Sequence, residues 1–126
     1  MFLFNFRRLA GAGFIFSAFL VTVPFALAQP GVLTTVAGNG SSTYSGDGGP
    51  ATAAGLRPNQ IAVDQTGNVY VADVNNNRVR RIAAGTGIIT TVAGGGTGGD
   101  GGLATDAVLN APCGIALDAA GNLFIS

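Results

Sequence analysis

The sequence predicts an all-β protein built of four-stranded antiparallel blades, and three observations carry that expectation. Apolar runs of four to six residues, rich in Val and Ile, are bounded by Gly, Asn or Asp, which is the pattern of short strands joined by tight turns. The chain also repeats itself. GVLTTVAG at residues 31–38 returns as GIITTVAG at 87–94, GDGGPAT at 46–52 returns as GDGGLAT at 99–105, and IAVD with GNVYV at 61–71 returns as IALD with GNLFI at 115–125. These offsets of 56, 53 and 54 give a period of about 54, with length changes confined to loops. Finally, Ile-Ala-Val and Val-Tyr-Val-Ala lack strict polar alternation, so both faces of the sheet are expected to be covered. Four strands per unit, buried on both faces and repeated at this length, predict β-propeller blades packed face to face.

In chain order, Arg7 and Arg8 precede an apolar run over residues 9–28, which ends in Ala26, Leu27 and Ala28. A positive start, an apolar middle and small residues before a polar switch predict an export signal over residues 1–28, cut between Ala28 and Gln29. The competing reading is an uncleaved anchor, since the run is nominally long enough to span a bilayer. Pro24 and the small residues favour cleavage by the general secretory route. The mature chain is therefore expected to be secreted or periplasmic, with no membrane association.

Beyond it, residues 32–37 read as a leading fourth strand for another blade. Pro50 can open one short helical turn. Strands are predicted over residues 60–63, 69–72, 78–83 and 88–93. Asp64 is placed to fold its carboxylate onto following amides, and Gly67 to take the positive φ of a short hairpin loop. Turn capping is likewise the expected role of Asp73 and Asp118. Residues 29–126 form one partial propeller, with repeat units at 46–93 and 99–126, the second truncated.

The stretch PNQIAVDQTGNVYVAD at 58–73, continued by VNNNRVRRI at 74–82 and begun again at 112–126, resembles the NHL repeat family. Asp64, Gly67, Asn68, Asp73, Asn76 and Arg78, with Asp118, Gly121 and Asn122 in the second copy, carry the repeat signature. The loop SGDGGPAT at 45–52 resembles the version found in secreted bacterial NHL proteins and in the NHL region of teneurins. The resemblance implies a propeller, usually six-bladed, used chiefly as a binding scaffold for protein, peptide or glycan ligands. Two copies cannot close a ring, since propellers need ~4 to 8 blades. The chain is thus expected to be the N-terminal part of a longer protein, with residues 32–37 fastening the ring.

Composition narrows the chemistry. The 126 residues contain no His, Lys, Glu or Trp, which excludes within this stretch a P-loop lysine, an imidazole-dependent triad and His-bearing zinc sites. Residues 29–126 hold four Arg against six Asp, a weakly acidic body poorly suited to a nucleic-acid backbone. No catalytic residue, cofactor site or small-molecule substrate is predicted. The alternative is part of a propeller-type lyase or lactonase whose metal ligands would lie in further blades.

Four features of the sequence are candidate sites. Asp47 and Asp100 are the metal candidates, because GGTGGD at 95–100 resembles the start of a calcium-binding nonapeptide, although an inter-blade loop is the preferred reading. Gly94, Gly96 and Gly99 match a dinucleotide-binding spacing, without the long helix that should follow. Arg78 and Arg80 should share one strand face and Arg81 the other, as solvated or turn-bonded side chains with Asn76 and Asn77 beside Arg78. Cys113 is expected to be a small buried thiol, the alternative being a disulfide partner.

Overall fold

The computed structural model describes residues 33–126. The export signal and its junction at Ala28 and Gln29 lie outside the described residues. Four strands, β1 (Pro58–Val63), β2 (Val69–Asp73), β3 (Arg78–Ile82) and β4 (Ile89–Gly94), pair antiparallel in sequence order as one sheet. β5 (Ile115–Leu117) and β6 (Leu123–Ile125) form a second antiparallel pair in the register of β1 and β2 one repeat earlier. The blade is thus confirmed, with β1 beginning two residues before the expected Gln60 and β4 displaced by one residue. Three-residue 3-10 turns occupy Ala51–Ala53, Val74–Asn76 and Ala104–Asp106. Residues 33–36 are exposed and belong to no strand.

Local chemistry makes the hairpins. Asp64 Oδ1 accepts hydrogen bonds from Thr66 N and Asn68 N, both at 2.9 Å, while its Oδ2 accepts from Asn68 Nδ2 at 2.7 Å. Gly67 closes the loop at φ +85, as its missing Cβ permits. Asp118 repeats the arrangement with Ala120, Asn122 and Gly121. At the other hairpin Asn77 takes the left-handed conformation, φ 52, which asparagine tolerates better than most side chains.

Register sorts the side chains onto two faces. Val69, Val71, Ile82 and Ile89 pack with Ala51, Ala54 and Leu56, which come from the segment preceding β1. This segment acts as a strap. Gly48 N donates to Ile89 O, Ile89 N to Gly49 O and Ala51 N to Gly87 O, so the strap runs along the outer edge of β4 before doubling back across the sheet. The unpaired groups of an edge strand are thereby satisfied, which removes a template for unwanted strand addition.

Ala72, Val79 and Ala93 form the opposite face and pack against Ile115 of the second unit, with Leu109, Leu123 and Ile125 at the margins. Asn59 Nδ2 donates to Cys113 O, and Ile115 N donates to Gln60 Oε1, so polar bonds also join the units. Burying Val79 and Ile115 here contributes about 1.5 to 3 kcal/mol per side chain. The expectation of two covered faces holds for β2 to β4 but not for β1, whose Ile61 and Val63 are 61% and 57% exposed. The strap does not extend over them. Among the described residues no helix is long and apolar enough to cross a membrane.

Candidate functional site

Strand direction divides the blade into two ends. Pro58, Asp73, Arg78 and Gly94 are register partners in one row, so the strap, the β2–β3 turn and the long connection after β4 emerge together. The tight turns at Asp64 and after Ile82 lie at the opposite end, where Val63 pairs with Val69 and Ile82 with Ile89. The first end is a rim of long loops on a rigid sheet, the arrangement on which binding surfaces are usually built.

The rim is locked by charge and hydrogen bonds. Arg80 is fully buried; its Nε and Nη2 donate to Asp47 Oδ1 at 2.9 and 2.6 Å, and Nη2 also donates to Ser45 O at 3.1 Å. Asp73 Oδ2 lies 3.5 Å from Arg80 Nη1, giving the guanidinium a second, fully buried carboxylate. Asp47 Oδ2 accepts from Thr91 N and from the Tyr44 hydroxyl, each at 3.0 Å. One carboxylate therefore joins strap, β3 and β4. Partial burial pushes the Asp47 carboxyl upward, but hydrogen bonds from Thr91 and Tyr44 and the charge of Arg80 outweigh it, leaving the pKa below the ordinary value.

Asp73 works differently from the simple turn cap expected of it. Its Oδ1 accepts from Arg57 N at 2.7 Å and from Asn76 Nδ2 at 2.8 Å, and it makes no side-chain cap to its own 3-10 turn. Asn76 then carries the chain of bonds onward, accepting from Tyr44 N and donating to Ser42 O, both at 3.1 Å. Tyr44 is positioned by these contacts, and its ring lies against two cations, 3.6 Å from Arg78 Cζ and 4.8 Å from Arg80 Cζ.

Two expectations need correction. Arg80 is neither solvated nor turn-bonded; it is an interior ion-pair residue, because the strap brings Asp47 onto its face of β3. Cys113 is exposed rather than buried, because its neighbour Pro112 takes the interior position. Arg78 fits the turn-bonded reading, with Nε donating to Asn76 O at 2.9 Å, and it shares a face with Arg80 through their common Tyr44.

Asp64, Gly67 and Asn68, with Asp118, Gly121 and Asn122, are hairpin fasteners away from the rim. The Asn68 side-chain amide is the leading cause that holds Asp64 down to about 2, and Asn122 acts likewise on Asp118. Asp47 has both oxygens engaged by protein donors, and Asp100 is exposed. Among the described residues no group of three or more His, Cys, Asp or Glu side chains is placed to hold a metal ion. After Gly94, Gly96 and Gly99 comes the 3-10 turn Ala104–Asp106, too short for a phosphate-binding helix terminus. The sequence reading missed the Tyr44 stack and the partner of Asp47. The recurrence of Asp47 as Asp100, in loops otherwise dominated by glycine, was the available signal.

A four-stranded antiparallel meander, covered on one face by its strap and on the other by the start of the next unit, defines a blade of the β-propeller class. Residues 56–82, which run from the end of the strap through β3, match the family model for the NHL repeat. The chain thus carries an NHL repeat over these residues. No curated protein matches it.

Proposed function

We propose that this chain belongs to an exported β-propeller that acts as a binding scaffold, taking a protein, peptide or glycan ligand on the rim formed by the strap, the β2–β3 turn and the connection after β4. The observation that carries this reading is the Asp47, Arg80 and Asp73 lock, which ties the strap and the β2–β3 turn to the sheet from its buried side. Loops held in this way lose little conformational entropy when a ligand arrives. The glycine-rich strap resembles that of secreted bacterial NHL proteins and teneurins, and residues 1–28 have the composition of an export signal.

Two measurements test the proposal. Intact mass of the exported product should correspond to a chain beginning at Gln29, and a product retaining Met1 would remove the export claim. Peptide and glycan arrays probed with the full chain should give ligands whose binding is weakened by rim substitutions such as Asn76→Ala. Substitutions at the opposite end, such as Gln65→Ala, should leave binding unchanged. Equal sensitivity at both ends would overturn the rim assignment.

A further inference from the structure

Of the arginines on β3, Arg78 is the one held rigid without a counter-ion. Its Nε is tied to Asn76 O, and Tyr44 lies flat against one side of the guanidinium, 3.6 Å from Cζ to the ring centroid. Gly95 lies against the other side. A Cβ at Gly95 would fall 2.8 Å from Arg78 Cζ and 2.9 and 3.0 Å from its two terminal nitrogens, so a side chain there would displace the guanidinium. Among the described residues those two nitrogens make no hydrogen bond and no ion pair, and the side chain is only half-buried. The result is a planar, permanently charged fork, flanked on both faces by Tyr44 and Gly95, whose two terminal nitrogens have no protein partner among the described residues.

Such a fork matches a carboxylate, which can accept two parallel N–H···O bonds. Its rigidity removes most of the rotamer entropy that a free arginine loses on binding. A polyanion is disfavoured, because neighbouring Arg80 is already neutralised by Asp47 and Asp73, and the mature chain holds more Asp than Arg. We propose that Arg78 is a preorganised carboxylate anchor that takes an acidic side chain or a C-terminal carboxylate of a peptide ligand on the rim. The assignment rests on the scaffold reading above and names the ligand chemistry for the same surface.

The test is titration calorimetry of the full chain with peptides capped at both ends that differ only in Glu against Gln, and with an uncharged peptide bearing a free C-terminus. The Glu peptide, the free-terminus peptide or both should bind, and which of them does so identifies the source of the carboxylate. Arg78→Gln and Arg78→Lys should each weaken that binding about tenfold, the second because lysine lacks the fork. Gly95→Ala should weaken it with the charge retained. Arg81→Gln, on the opposite face of the strand, should change nothing, and matched thermal melts show that each variant is folded. Capped Glu and Gln peptides binding equally and independently of Arg78 would sink the anchor while leaving the scaffold intact. If no peptide binds, the anchor falls, while the scaffold reading stands or falls separately on the glycan array. Arg78-dependent binding of inorganic phosphate or single-stranded RNA in place of peptide would also overturn the assignment.

Discussion

Arg80 and Asp47, 33 residues apart in the chain, meet through two hydrogen bonds to a single carboxylate oxygen, and the arginine side chain is fully enclosed. A buried charge stripped of its partner is far more costly than one never buried, so the pair governs whether the strap stays down. Asp47→Ala should destabilise the fold by about 2 to 3 kcal/mol, less than for a fully orphaned charge because Asp73 remains beside Arg80. Urea unfolding followed by circular dichroism measures the difference. Replacing Arg80 with Met in the same background should deepen the loss, because it strips the fully buried Asp73 of its counter-ion.

Acid should act on the hairpins and the strap in the same direction. Asp64 titrates at about 2 in the folded chain against 3.8 for an ordinary carboxyl, and Asp47 and Asp118 are also lowered. A depressed folded pKa means that the unfolded chain takes up the proton first. The stabilisation is present above pH 3.8 and is lost as pH falls toward about 2. NMR titration of the Asp64 carboxyl carbon should give a midpoint near 2, moving up toward 3.8 in Asn68→Ala.

Ile61 and Ile115 hold the same position in successive repeats, yet only Ile115 is covered, at 5% exposure against 61%. Ile115→Ala should therefore cost about 2 to 3 kcal/mol, while Ile61→Ala should stay within about 0.5 kcal/mol of the parent. Parallel denaturation curves settle it, and equal losses would mean that the Ile61 face is covered in solution.

Cys113 should react with a maleimide in native buffer at the rate of a free surface thiol, without prior unfolding, since it is exposed. Mass spectrometry of the native and urea-treated protein compares the two rates. Protection in the native state would show that a partner or a further segment covers the residue.

What was legible in the sequence was what is local. The Asp64 to Asn68 loop could be read because donor and acceptor lie within four residues, and the blade because strand and turn signals repeat. Arg80 was misread because period-two reasoning assigns a strand face but says nothing about what covers it. The cover is a glycine-rich segment 33 residues earlier, whose recurring GDGG and AT residues carry no strand or helix period that tells what they pack against. Cys113 failed for the related reason that Pro112, a residue usually left outside, took the interior place.

The strap also sets a timetable. Its Asp47 leaves the ribosome 44 residues ahead of Thr91, whose amide it must receive, and 33 ahead of Arg80. At synthesis rates of ~5–20 residues per second, the strap spends on the order of seconds without the edge it will cover. The blade cannot be sealed strand by strand as it emerges, and its closing step waits for β4. Within the blade, the glycine-rich tether emerges first and the edge that it finishes emerges last.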